Sequence, residues 1–301
     1  MEFGKVAPSE LRKIDFTLPP DKKGTSAVLK KSKSRPKVYV GCAKWGRKDW
    51  IGKIYPKGTK ESDFLEHYAR HFSAIELNAL FYRIFDRTVI EKWAQKTAPG
   101  FKFCPKFNGA ITHQKRLKNA REITNTYLGS IHSFGSKLGP CFIQLSDNFP
   151  PKNIGDIDDY LGSLPEDLEV FVEVRHPDWF APDTLEELAG VLEKHKAGFV
   201  ITDASGRRDC VHMRLTTPKA FIRFVGNGLH ATDYTRVDDW VDRIRSWMKK
   251  GIDEVYFFMH QHEELHSPEL CKYTIQQLNS KCGTKIPEPQ FVTNKEKGLF
   301  N

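Results

Sequence analysis

The sequence predicts an α/β protein of the TIM-like (β/α)8 class, a single domain with one irregular unit and a basic N-terminal arm. Three observations carry that expectation: eight strand-length apolar runs, segments of helical spacing around them, and a span, residues 38–282, close to the ~250 residues one such barrel uses.

The strands are expected at "KVYVGCAKW" (37–45), "AIELNALFY" (74–82), "FKFCPKF" (101–107), "CFIQLSD" (141–147), "VFVEVRH" (170–176), "GFVITDA" (198–204), "AFIRFVG" (220–226) and "VYFFMHQ" (255–261). Each is short and bounded by turn residues or polar loops. Segments with helical periodicity include "ESDFLEHYARHF", "DRTVIEKWAQKT", "NAREITNTYLGSIHSFGSKL", "DTLEELAGVLEKH" and "VDDWVDRIRSWMKKG", and "SPELCKYTIQQLNSK" follows the eighth strand. Strands alternating with helices imply right-handed crossovers and a parallel sheet. Residues 205–219 have no clear helical pattern, which makes the sixth unit the irregular one. A doubly wound sheet is the alternative, but "GCAKWGRKDW" after the first strand is no glycine-rich phosphate turn.

The chain has 301 residues, 39% hydrophobic and 28% charged, a globular composition. No apolar run approaches the ~18 residues of a membrane span, and the N-terminus has no apolar leader core, so a cytoplasmic protein without membrane contact is expected. The six cysteines are scattered with no CxxC pair and read as reduced, structural thiols. The net charge of +9 is uneven: residues 1–37 carry ten Lys or Arg against four Asp or Glu, so +3 remains for residues 38–301. That arm is expected to be solvated and flexible, with electrostatic contact to nucleic acid as a second use. Residues 283–301 read as a C-terminal tail.

The fifth strand shows where a site belongs. In "VFVEVRHPDW" alternation sends Val170, Val172 and Val174 toward the helices, and Phe171, Glu173 and Arg175 toward the barrel axis. The same reading places Glu76, Asn78, Lys106, Gln144, Asp203, Arg223 and His260 at the strands' C-terminal ends, where barrels of this class build active sites. Glu76 and Glu173 come from strands three apart and would form an acid and base pair. Lys106, Arg175 and Arg223 would hold a carboxylate, a phosphate or a developing oxyanion. Asp203 and His176 complete the catalytic candidates. Trp45, Tyr82 and Trp179 would floor a pocket for a ring, and His113 would hydrogen-bond the ligand. The same charges also suit a structural network, Glu173 with Arg175 or Arg223 and Lys106 with Asp203.

"VGCAKWGRKDWIGKIYP", "AIELNALFYR", "FKFCPKFNGAITH", "FIQLSDNF" and "VFVEVRHPDWF", in this order, resemble the YecE-like family, the domain of unknown function 72, from about Val38 to near Lys281. The resemblance implies a TIM-like barrel and recurrent positions that include the candidates above other than His260, but no activity. Two departures stand out: "FMHQ" where asparagines are expected after the eighth strand, and "LSDNF" where a proline pair is expected after the fourth.

The function expected from these residues is acid/base chemistry on an anionic ligand, a small molecule or one containing sugar or phosphate. A metal-assisted phosphoesterase and a non-catalytic nucleic-acid or ligand-binding protein are the alternatives. No organic cofactor is signalled. Histidines at 260 and 262 with nearby carboxylates are a weak metal signal, since no HExxH occurs.

Overall fold

The computed structural model describes residues 3–29 and 35–292. Its strands are β1 (Lys37–Cys42), β2 (Ala74–Leu77), β3 (Lys102–Pro105), β4 (Cys141–Gln144), β5 (Val170–Glu173), β6 (Gly198–Asp203), β7 (Lys219–Gly226) and β8 (Glu254–Gln261). All paired strands are parallel, in the orders β1-β8-β7-β6-β5-β4 and β2-β3. The α-helices among the described residues are α1 (Lys23–Val28), α2 (Phe64–His71), α3 (Ala79–Tyr82), α4 (Arg87–Gln95), α5 (Arg121–Ile131), α6 (Ile154–Gly162), α7 (Pro182–Lys194), α8 (Ala231–Lys250) and α9 (Ser267–Cys282).

Hydrogen bonds link the two sheets across both seams. Between β3 and β4, Phe107 N–H donates to Phe142 O at 2.9 Å and Gly139 N–H to Phe103 O at 2.7 Å. Between β1 and β2, the Tyr68 hydroxyl accepts from Cys42 N at 2.7 Å and donates to Ala74 O at 2.9 Å. Gly41 is required at that seam, because a Cβ there would lie 1.9 Å from Ala74 O. Any side chain would push the two strands apart.

Alternation sorts the core into two layers. Val170, Val172 and Val174 pack outward with the helices, whereas Phe171 joins Phe142, Phe221, Tyr256 and Phe258 inside the barrel. The Phe221 ring lies 5.0–5.5 Å from those of Phe258, Phe142 and Phe171. Burying each such ring contributes roughly 1.5–3 kcal/mol. This buried aromatic layer fills the interior below the polar groups at the strand ends.

Two local expectations need adjustment. "AIELNALFY" is strand only to Leu77, and its second half is α3, which turns Phe81 and Tyr82 over the barrel end. Helix α6 has no counterpart among the segments of helical periodicity, for it is a short stretch with two glycines. The sixth unit is irregular as expected: between β6 and β7 the described chain has only a 3-10 turn (Arg208–Cys210).

Residues 3–29, expected as a solvated arm, lie against that helix-less crossover. Thr25 Oγ1 donates to Met213 O at 2.9 Å and accepts from Leu215 N at 3.0 Å. Asp21 accepts from Arg243, Trp247 and Lys250 of α8 at 2.6–3.1 Å, and Gly206 N–H donates to Gly4 O at 2.8 Å. Leu11 is buried. Residues 30–34 of the arm lie outside the described residues. Part of the expected C-terminal tail is also docked, with Phe291 packed on the core and Val292 N–H donating to Lys53 O at 2.8 Å; residues 293–301 lie outside the description. No helix among the described residues is long and apolar enough to cross a membrane.

Candidate functional site

At the C-terminal ends of the strands the interior changes from aromatic to ionic within one layer. Arg223 of β7 is its hub. Its guanidinium donates to both oxygens of Glu76 on β2, Nε to Oε2 at 2.9 Å and Nη2 to Oε1 at 2.8 Å, and its Nη1 donates to Glu173 Oε2 at 2.6 Å on β5. The two carboxylates therefore face each other across a cation. Arg175 Nε donates to Glu173 Oε1 at 2.9 Å, Asn78 Nδ2 to Glu76 Oε1 at 2.8 Å, and His260 Nε2 lies 2.9 Å from Glu76 Oε2.

These contacts decide the charge states. Burial alone would raise the pKa of both carboxyls, but Arg175 and Arg223 outweigh it at Glu173, lowering it to about 2. At Glu76, Arg223 and His260 likewise prevail over burial and hold the carboxyl well below its usual range. Both stay ionised at neutral pH, with their oxygens committed to donors. Proton exchange by this pair, the sequence-based expectation, would require breaking bonds to a buried guanidinium.

Lys106, just beyond β3, is in the opposite situation. Its Nζ donates to Gln144 Oε1 at 2.8 Å, a neutral acceptor, and lies 4.0 Å from the centre of the Phe81 ring. Burial, reinforced by Arg223 and Arg175 against Glu173 and Glu76, lowers its pKa to about 7. The ring face offers the ammonium about 0.5–2 kcal/mol, small beside lost hydration and two guanidinium neighbours. The local balance explains this: Arg223 and Arg175 already match Glu76 and Glu173, so a charged Lys106 is one cation in excess.

Lys106, Gln144, Arg175, Arg223, Asn78, Tyr82 and His260 line one open cavity of about 740 Å³. Tyr82 is 82% exposed at its rim. Glu76 and Glu173 are buried behind Arg223. Sequence reasoning missed Lys44, Arg47 and Glu264 on the same wall. They follow β1 and β8, which pair as ring neighbours, so ring order was the signal available.

Other candidates lie elsewhere. Asp203 points outward, since β6 is one residue out of the expected phase and Thr202 takes the inward position. Asp203 accepts from Arg236 Nη2 at 2.7 Å, from Trp240 Nε1 at 2.7 Å and from Arg208, all in the layer between barrel and helices. It does not pair with Lys106. Trp179 is fully buried and donates to Phe149 O at 2.7 Å, which makes it core. Trp45 packs edge-on against Trp93 of α4 at 5.2 Å. His176 accepts from Asp178 N at 3.3 Å and caps the turn after β5. His113 sits behind Phe81, its ring edge-on at 5.0 Å, and burial together with Lys106 lowers its pKa.

For a metal, the donors are already engaged. Glu76 is held by Arg223, Asn78 and His260, and among the described residues no group of three or more His, Cys, Asp or Glu side chains is arranged to share an ion.

The profile of the family described as "Protein of unknown function DUF72" matches residues 39–291. The chain is 27% identical over 252 residues to UPF0759 protein YecE of Escherichia coli (strain K12), covering 77% of this chain and 89% of that protein. It is 28% identical over 168 residues to UPF0759 protein YunF of Bacillus subtilis (strain 168), covering 52% and 57%. Among solved structures, a DUF72 family protein from Thermotoga maritima MSB8 superposes with a TM-score of 0.63 at 24% identity, covering 81% of this chain and 99% of that one. Another, from Enterococcus faecalis V583, gives 0.63 at 16% identity, covering 83% and 99%. These likenesses support the TIM-like fold, and the profile match includes every residue of the ionic layer. The chain belongs to the DUF72 family of proteins of unknown function.

Proposed function

We propose that this protein is an enzyme that binds a small anionic molecule, a carboxylate or a phosphate ester, in the mouth of the barrel, with Lys106 as its proton-exchanging group. The observation that carries the reading is the buried amine whose acceptor is a neutral amide, on the wall of a cavity that also presents Arg175 and Arg223. A cavity lined by more cations than anions attracts and orients anions. A base poised near 7 is matched to proton transfer at neutral pH.

Glu76 and Glu173 have a different part in this reading. They hold Arg223 and Arg175 in place and leave Lys106 as the excess charge, so an arriving anion supplies the missing counter-ion. Binding should then raise the pKa of Lys106 and take up a proton. Calorimetry with oxalate or inorganic phosphate in two buffers of different ionisation enthalpy measures that uptake directly. Uptake approaching one proton above about pH 7, lost in Lys106→Met, is the expected result. Binding without proton uptake would remove Lys106 from the account, and absence of binding by any small carboxylate or phosphate would remove the anion site.

A further inference from the structure

We infer that Lys106 is a nucleophile toward carbonyl carbon, and that the substrate class of the mouth is an aldehyde or ketone that also bears a carboxylate or phosphate group. The inference rests on the anion-binding reading above and adds covalent chemistry to it. Among the ionic groups of the mouth, Glu76 and Glu173 are committed to guanidinium donors, Glu264 accepts from Ser267 Oγ, and the guanidinium groups do not deprotonate. Lys106 combines a buried amine, a neutral acceptor and a place on the wall of an open cavity.

The groups that face it explain why the lone pair is free. Arg223 from β7 and Arg175 from the end of β5 disfavour the ammonium, Glu173 of β5 and Glu76 of β2 favour it, and His113 sits beyond Phe81. The outcome of burial and these charges is a pKa of about 7. Gln144 Oε1 accepts one N–H at 2.8 Å, which orients the amine without neutralising it. Desolvated lysines beside other cations are the ones that form imines.

The step balances without a cofactor. The nitrogen lone pair adds to the carbonyl carbon, the C=O π pair moves to oxygen, and that oxygen takes a proton. The carbinolamine loses its hydroxyl as water after a second protonation, and the nitrogen, having released one N–H proton, carries a C=N bond. The protonated imine then withdraws electrons from the adjacent carbon, which suits proton removal or carbon–carbon bond chemistry at that position. The substrate's own anionic group falls to Arg175 and to Lys44 of the loop after β1, which line the same cavity, whereas Arg47 beside them is paired with Asp49.

The test uses the full chain with glyoxylate, an aldehyde next to a carboxylate, and sodium cyanoborohydride as the hydride source that fixes any imine as a secondary amine. Peptide mass spectrometry reads the labelling at each lysine between about pH 6 and 9. Lys106 should be labelled at least about tenfold more than an average exposed lysine near pH 7, because an amine with an ordinary pKa of ~10.4 is almost wholly protonated there. The labelling should reach half its maximum near pH 7, and oxalate, which has no aldehyde, should suppress it. Oxalate binding without preferential labelling of Lys106 would overturn the imine and leave the anion site standing. Neither binding nor labelling would overturn both. Because the readout is the labelled position in the wild-type chain, it does not depend on whether a Lys106 variant folds.

Discussion

Two buried ionic clusters lie within one barrel of each other, and they differ in a single respect. The outer one, between barrel and helices, joins Asp203 to Arg236, Arg208 and Trp240, with Arg236 also 3.3 Å from Asp233. Asp203, Arg236, Asp233 and Trp240 are fully buried with Arg208 partly exposed at the edge, and Phe16 of the N-terminal segment lies 5.0 Å over the Arg236 guanidinium. The inner one joins Glu76, Glu173, Arg223 and Arg175, but adds Lys106 with no matching anion and opens to a cavity. Buried charge alone therefore does not mark a site. An unmatched charge at an accessible wall does, because it is the group whose energy a ligand can lower.

Substitutions test that contrast, and the largest effect belongs to the hub of the inner cluster. Arg223→Met would leave Glu76 and Glu173 facing each other with part of their hydrogen bonding gone, and breaking such a buried pair costs about 3–5 kcal/mol. Urea denaturation should show a loss of this size or a chain that no longer folds. Asp203→Asn in the outer cluster keeps the side-chain shape and one acceptor, so the expected loss is about 1.5–3 kcal/mol. If Asp203→Asn cost as much as Arg223→Met, the two clusters would be energetically alike. Both should fail in acid. Glu76, Glu173 and Asp203 have lowered carboxyl pKa values in the folded chain; the stability they contribute is present above their unfolded values of about 4 and is lost as pH falls through the folded ones, for Glu173 toward about 2.

How much of this was legible in the sequence follows from which rule each residue obeys. Alternation with period two located Glu76, Glu173, Lys106, Gln144 and Arg223, because those strand ends keep regular pleat. It failed at Asp203, since a slip of one residue sends every side chain to the opposite face and nothing in "GFVITDA" reveals the phase. Trp179 and Trp45 read as pocket aromatics, but large rings next to strand ends more often serve the core: Trp179 is buried in it and Trp45 packs, partly buried, against it. For the glutamates the sequence offers both an acid and base pair and an ion-pair network of Glu173 with Arg175 or Arg223, and the donor distances of 2.6–2.9 Å from Arg223 and Arg175 decide for the network. The docking of residues 3–29 was hidden as well: the charge run suggested solvation, while Leu11, Phe16 and Thr25, too sparse to show periodicity, supply the contacts.

Substituting the distinguishing group of the inner cluster should act in the opposite sense to substituting its neighbours. The Lys106 pKa falls from the usual 10.5 to about 7 in the folded chain. Between those values the unfolded state binds more protons, so stability rises with pH across that window. Lys106→Met should abolish the rise and stabilise the protein below about pH 7 by on the order of 1–3 kcal/mol, since it removes a cation that burial disfavours. Denaturation midpoints at pH values spanning the window measure this, and a variant less stable than wild type at neutral pH would show that Lys106 is a matched charge after all.

The smallest effect probes the contact of Phe3 in the N-terminal segment with an arginine of the mouth. The Phe3 ring lies 4.1 Å from the Arg175 guanidinium and 5.1 Å from that of Arg207, whose Nη2 donates to Arg175 O at 2.7 Å. Cation–π contacts of this partly exposed kind contribute about 0.5–1 kcal/mol each, so Phe3→Ala should lower stability by no more than about 1 kcal/mol. Its consequence for binding is distinct from its consequence for folding. Arg175 has two anchors, Glu173 below and Phe3 above, and loss of the upper one lets the guanidinium explore more rotamers before it meets an anion. Oxalate affinity should fall about two- to fivefold, the equivalent of less than ~1 kcal/mol, with the Lys106-dependent proton uptake unchanged. A change in uptake would place Phe3 in contact with the excess charge itself, whereas a loss of affinity alone confines it to the arginine and keeps the two functions of the mouth, holding the anion and exchanging the proton, on separate residues.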